Sequence, residues 1–439
     1  MKNQQIFKER RERFLVELGE TAAIIPAANM VSHHADCEYP FRQNSDFWYL
    51  TGFDEPEAVA LFLPHRPKGE QYVLFVLPKE PSAEIWNGFR WGTEGVLKHF
   101  NADLAFPLDE LSKRLVDYLY GAEDIAFRIG KHSKIEPLVL KAWSDLLERS
   151  PRDGFSPQRL TPPCPLLHQL RLKKEPWEIQ RMKEAARISS NAHELARQIT
   201  RPGISEREVQ AVIEQSFLEQ GARGPAYGSI VAGGENACIL HYTANNAFLK
   251  DRELLLIDAG CSLDDYYNAD ITRTFPINGR FNHEQKALYE IVLAAQTAAI
   301  QLALPGRNTE EVHLKAVSVL VEGLIDLGLL KGSIDSLIER GLYRHFYMHR
   351  TGHWLGLDVH DVGAYRLGEY PVPLEPGMVL TVEPGLYISD LLSVPEGQPS
   401  IEEHWKNIGI RIEDDVLVTK DEPEVITLNA LKSVNEMER

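Results

Sequence analysis

The sequence is poor in cysteine: four in 439 residues (Cys37, Cys164, Cys238 and Cys261), with no pair at CxxC spacing. That excludes a disulfide frame and fits free thiols in a reducing compartment, the cytoplasm. Long apolar runs are missing as well, so no segment reads as a membrane span. The opening stretch, MKNQQIFKERRERFLVELGE, is too charged for a secretory signal; Ile6, Phe7, Phe14, Leu15 and Leu18 instead predict a short amphipathic helix. Positive charge is also in short supply. Lys and Arg number 47 against 64 Asp and Glu, a net charge of −17. With no clustered basic stripe, this opposes binding to nucleic acid or to an anionic membrane. Neither GxGxxG nor GxxxxGK[ST] occurs, so a nucleotide site has no support, and the absence of HExxH removes the zinc-protease helix.

What is present is an ordinary globular composition, 44% hydrophobic and 25% charged, in a chain long enough for two domains. The best boundary is the proline-bearing stretch 154–165, with Pro157, Pro162, Pro163 and Pro165. It divides the chain into domains at 1–165 and 166–439. In the first, strand patterns at 21–27, 47–53, 58–64, 71–78 and 124–130 alternate with helical spacing around 111–119 and 133–147. This predicts an α/β domain with a parallel or mixed sheet. The second part echoes itself. A Pro-Gly turn precedes Ser205 with Glu208, and another precedes Asn308 with Glu311, each pair a capping-box pattern ahead of an amphipathic helix. Each half then reaches an apolar run ending on an acid: LLLIDAG at Asp258 and MVLTVEPG at Glu383. Two matching helix–helix–strand halves predict a duplicated fold with pseudo-twofold symmetry.

The apolar run Leu254, Leu255, Leu256, Ile257 stops at Asp258, and the β-branched run Ile271, Thr272, Thr274 follows Asp270. With Asp264 and Asp265 between them, this reads as a hairpin carrying one acid on each arm. Buried there, the two carboxylates need a pairing group, hydrogen bonds or a metal; exposed, they are ordinary solvated acids. Glu383 at a strand end, Glu413 in GIRIEDD, and His349, His353 and His360 supply further metal-capable groups. Carboxylates with one imidazole suit Mn, Co or Zn better than Cu, and bridging carboxylates suit a pair of ions.

The motifs IDAG, DITRTFPING, HWLGLDVHDVG, LTVEPGLY and NIGIRIEDD, with ADCEYPFRQNSDFWYLTGF near the N-terminus, resemble the bacterial Xaa-Pro aminopeptidase (aminopeptidase P) family. Its relatives among the two-metal pita-bread peptidases include prolidase and methionine aminopeptidase. The resemblance covers nearly the whole chain. It implies an α/β (α+β) architecture: an N-terminal α/β domain with a mixed sheet, then a pseudo-twofold pita-bread catalytic domain. It implies an exopeptidase that releases the residue before a proline in second position, by attack of a hydroxide bridging two divalent ions. Mn2+ is the first expectation for these ions, with Co2+ or Zn2+ as alternatives. Residue by residue, it makes Asp258, Asp270, His353, Glu383 and Glu413 the metal ligands, Asp270 and Glu413 bridging. Glu383 doubles as general base and acid. His241, His349 and His360 line the substrate site, and Arg411 orients Asp258. The expected partners are small peptides with a Xaa-Pro N-terminus and further copies of the chain, as homodimer or homotetramer. The segment with Asp36 is expected to reach a neighbouring subunit's site. A prolidase acting on dipeptides, and a metal-free or creatinase-like protein on the same fold, are the competing readings. Two features depart from the family pattern. The Asp258–Asp270 interval is one residue longer, and Arg350 stands where a glycine is usual.

Overall fold

The computed structural model describes residues 4–438. They divide into two compact units that meet at Leu170 and Arg171.

The first unit is built on a six-stranded mixed sheet. Its order is Leu104–Pro107, Tyr72–Val76, Val59–Phe62, Thr21–Pro26, Asp124–Ala126, Leu160–Thr161. Val59–Phe62 pairs antiparallel with both Thr21–Pro26 and Tyr72–Val76, and the other three pairings are parallel. Parallel arms need crossovers, which the helices Leu111–Leu119 and Glu136–Asp153 help to supply. Leu111, Leu115, Leu119, Val139, Ala142 and Leu146 pack with Ile24, Leu61 and Phe75 of the sheet. The expected N-terminal helix is Gln4–Leu18, which buries Phe7, Phe14 and Leu18. It also buries Arg10 and Arg11, whose guanidinium groups lie over the rings of Tyr49 and Tyr72 at 4.1 and 4.2 Å.

Two expectations fail in this unit. Residues 47–53 form not a strand but the body and end of the helix Ser45–Thr51, with Gly52 as its cap. A short apolar run has no period to separate the two states; the ends decide. Asn44 accepts from the Phe47 backbone N–H, and Gly52 closes the helix in the left-handed region at φ 62°. The stretch 154–165 is not a bare linker either. Leu160–Thr161 pairs in parallel with Ile125 and Ala126, and the prolines flank this edge strand rather than interrupt it.

The second unit has the predicted repeat. Helices Pro176–Ile199 and Glu206–Glu219 form one pair, His283–Ile300 and Thr309–Asp326 the other. Both expected capping boxes are made, by Ser205 with Glu208 and by Asn308 with Glu311. One three-stranded sheet runs Ile230–Gly233, Leu254–Asp258, Thr272–Pro276, and another runs Val379–Val382, Asp414–Leu417, Glu424–Val425. Gly385–Ile388 and Ile408–Arg411 form a separate two-stranded ladder. A large core that includes Ile213, Leu255, Ile257, Leu288, Leu320 and Ile410 joins both helix pairs to the strands.

Candidate active site

Each half breaks a hairpin where its acids stand. In the first, Leu254–Asp258 pairs with Thr272–Pro276 and Asp258 lies opposite Thr272. The regular ladder then ends, although the Ala259 N–H still donates to Ile271 O at 3.0 Å. At Gly260 the crossing strand comes so close that a Cβ would meet Ala269 O at 1.8 Å, so only glycine fits. Asp270 sits in this break, two residues before Thr272. In the second half, Val382 pairs with Asp414 and Gly385 pairs with Arg411. Between those ladders lie Glu383 and Pro384 on one arm, Ile412 and Glu413 on the other. Pro384 has no N–H to give, which helps to stop the ladder there. The Glu413 N–H donates to Thr272 O at 3.1 Å, tying the two breaks together.

The acids therefore converge. His353 Nε2 lies 3.4 Å from Asp270 Oδ2 and 3.8 Å from Glu383 Oε1. Ligand-capable atoms of Asp270, His353 and Glu413 all fall within 4.8 Å of one another. Arg411 donates to Asp258 Oδ2 at 2.7 Å, to Tyr387 Oη at 3.0 Å and to Thr272 Oγ1 at 3.1 Å. The Thr272 hydroxyl donates in turn to Glu413 Oε2 at 2.7 Å. His349 Nε2 meets Tyr387 Oη at 2.8 Å, and its Nδ1 lies 3.8 Å from Glu383 Oε2. The His360 ring stands 4.3 Å from that of His353. His241 is exposed, yet close enough to depress the basicity of both His349 and His360. The structure thus brings Asp258, Asp270, His349, His353, His360, Glu383, Arg411 and Glu413 into one region of the second unit, with His241 near His349 and His360, whereas Asp36 lies in the first unit.

The electrostatics are those of too much buried negative charge. Burial, reinforced by neighbouring acids, holds Asp258 above the usual carboxylate range despite Arg411. The same forces hold Glu413 far above it. Glu383 is pushed up to about 7, burial with Asp270 and Asp258 outweighing His353 and Arg411. Burial would raise Asp270 too, but the bond to His353, its charge, and Tyr227 bring it below the ordinary value. The reverse holds for His353: burial disfavours its cation, but Asp270 and Glu383 lift it to about 9. A cluster in which burial and mutual repulsion raise Asp258, Glu383 and Glu413 is short of positive charge and fits a divalent cation, and its oxygen-rich, one-imidazole donor set fits the hard-to-borderline metals.

Sequence reasoning missed several supports. Tyr227 Oη lies 2.7 Å from Asp258 Oδ1 and also bonds Asp270 Oδ1. Buried His193 holds Ala259 O at 2.9 Å, fixing the backbone after Asp258. Thr381 accepts the His353 N–H at 3.1 Å. Thr272 and Thr381, each two residues from an acid, share that acid's strand face and were legible by period. Tyr227, in GPAYGS, carries no local signal.

Paired, interrupted hairpins that aim four acids and a histidine at one point define a metal-dependent hydrolase of the pita-bread class. The chain belongs to metallopeptidase family M24, which it matches over residues 180–420, and it matches the aminopeptidase P N-terminal domain over 7–126. Among similar proteins is the Xaa-Pro aminopeptidase of Escherichia coli K12, 41% identical over 99% of this chain and 97% of its own length. That of Haemophilus influenzae is 42% identical over 98% and 96%. Among solved structures, the Pseudomonas aeruginosa aminopeptidase PepP superposes with TM-score 0.93 at 43% identity, covering 99% of this chain and 97% of that one. A variant of E. coli aminopeptidase P in complex with substrate gives TM-score 0.93 at 40% identity, with the same coverage of both chains.

Proposed function

We propose that the chain is an Xaa-Pro aminopeptidase, hydrolysing the bond between an N-terminal residue and a proline in second position. What carries the reading is the buried acid–histidine cluster at the two hairpin breaks, in a chain that Xaa-Pro aminopeptidases match from end to end. The catalytic domain is assigned to 166–439 and the N-terminal domain to 1–165, the compact units dividing a few residues later, between Leu170 and Arg171. Asp258, Asp270, His353, Glu383 and Glu413 would hold two divalent ions, Asp270 and Glu413 shared between them; Mn2+ is the first candidate, Co2+ or Zn2+ the alternatives. When bound, such ions lower the pKa of a water to near neutrality and polarise the scissile carbonyl. Glu383, flanked by His349 and His353 at 3.8 Å each, takes the proton of the attacking water and returns it to the proline nitrogen. His349, steadied by Tyr387, stays a neutral imidazole: burial and Arg411 push it down to about 3. With His241 and His360 it lines the substrate site and supports the developing oxyanion. Arg411 fixes the Asp258 carboxylate.

The substrate class follows from the amide. A bond before proline has no N–H, so a mechanism that needs no hydrogen bond from that nitrogen tolerates it. A free N-terminal amine is drawn to the acids, which favours exopeptidase action. Self-association as dimer or tetramer is supported by exposed apolar side chains in and beside the helix Pro81–Asn87: Ile85 at 81%, Trp86 at 87% and Phe89 at 60% exposure. Asp36, on an exposed two-stranded turn, suits the role of reaching into a neighbour. Four free cysteines accord with the cytoplasm as the place of action.

The deciding assay compares an Xaa-Pro dipeptide with an Xaa-Pro-Xaa tripeptide after chelation, with and without added Mn2+. The tripeptide is expected to be cleaved only when metal is returned. Hydrolysis of the dipeptide alone would make the enzyme a prolidase, and cleavage that survives chelation would overturn the metal mechanism.

A further inference from the structure

A separate cluster lies wholly within the N-terminal unit. Cys164 and His168 are four apart on the helix Cys164–Leu172, so both side chains leave the same face. Asp46 approaches from the first turn of the helix Ser45–Thr51. One ligand-capable atom from each lies within 4.8 Å of the other two. His168 Nε2 and Asp46 Oδ2 are 3.8 Å apart, too far for a hydrogen bond. That gap is close to the edge of a tetrahedron whose metal–ligand bonds are about 2.0–2.3 Å. We propose that Asp46, Cys164 and His168 form a mononuclear site for a thiophilic divalent cation, zinc foremost.

The chemistry of the three groups supports this. A sulfur, an imidazole and a carboxylate are a borderline-soft donor set, unlike the all-oxygen-and-nitrogen cluster of the catalytic unit. The side chains of His168 and Asp46 are 27% and 16% exposed, so a fourth position can open to water. With three protein ligands from two helices, the ion acts as a structural clamp holding Ser45–Thr51 to Cys164–Leu172.

The test is spectroscopic. Full-length protein stripped by chelation is titrated with Co2+, and the near-ultraviolet sulfur-to-cobalt charge-transfer band is followed. The catalytic cluster contains no sulfur and contributes none of it, so failure of this site and failure of the peptidase reading are told apart. The expected result is a band whose final intensity corresponds to one sulfur-bound Co2+ per chain, whatever Co2+ the catalytic cluster also takes up, and that vanishes in Cys164→Ser. Mn2+-supported tripeptide cleavage stays unchanged in that variant. His168→Gln is expected to weaken cobalt binding at this site about tenfold or more while keeping the thiol. Wild-type protein without the band, a Cys164→Ser protein that retains it, or undiminished affinity in His168→Gln overturns the proposal.

Discussion

Residues act here through the company they keep. Asp270 touches His353 and Tyr227 and lies within ligand distance of Glu413, so Asp270→Ala removes a group on which both proposed ions depend. Activity is expected to fall to background with full Mn2+, and near-normal turnover would refute the bridging role. Arg411 is a subtler case. Its fork reaches Asp258, Tyr387 and Thr272 at once, which a lysine ammonium does not reproduce. Arg411→Lys should lower kcat/KM about 10- to 100-fold, the usual cost of disturbing a group that orients a metal ligand; an unchanged value would detach Arg411 from the site. Asp361, beside His360, is buried between Arg171 and Lys174 at 2.5 and 3.0 Å. Asp361→Asn takes the carboxylate from buried Lys174 and leaves Arg171 to its pair with Asp358 at 2.8 Å, so denaturant unfolding should read a loss of about 3 kcal/mol. Arg350 is largely exposed, and its guanidinium pairs with Glu310 at 2.5 Å.

At the level of elements, the longer Asp258–Asp270 interval is absorbed in the turn. Tyr266 takes the left-handed conformation at φ 69°. The Tyr267 hydroxyl donates to Glu178, and Arg181 pairs with Asp265, each at 2.7 Å, so the turn is docked on the helix Pro176–Ile199. The additional residue therefore leaves Asp270 in the hairpin break. The breaks themselves depend on close backbone approach. A Cβ at Gly352 would meet Thr381 O at 1.9 Å, next to His353. Gly352→Ala is expected to displace His353, lowering Mn2+ affinity and Tm together; retention of both would show that the strand yields more easily than this packing implies. The hairpins and capping boxes were legible because period and caps are local. The helix Ser45–Thr51 was not, because an unbroken apolar run reads alike in either state.

The whole molecule couples folding and metal loading to pH. His193 and His313 are buried, and burial pushes each down to about 4. Their unfolded values lie near 6.5, so below that pH the unfolded chain binds more protons. The stability they contribute is complete above about pH 6.5 and drains away toward pH 4. The urea midpoint should fall between pH 7 and pH 5, and His193→Gln should flatten that fall; an identical slope in the variant would exclude His193. Metal loading runs the opposite way. Without metal, His353 near 9 and Glu383 near 7 hold protons that a cation must displace. Calorimetry in buffers of different ionisation enthalpy should find about one proton or more released per chain at pH 7 and tighter binding as pH rises. Binding indifferent to pH would count against these ligands.

By itself the sequence determined the repeat, the hairpins, the capped helices and the identity of the acids and histidines, because each is written in spacing over a few residues. Only the tertiary structure decided that acids more than a hundred residues apart in sequence face one another, that Tyr227 and His193 belong beside them, and that the proline-rich stretch adds a strand to a sheet. Those outcomes depend on where two strands break and which backbones touch. Such contacts are long-range, and no local pattern encodes them.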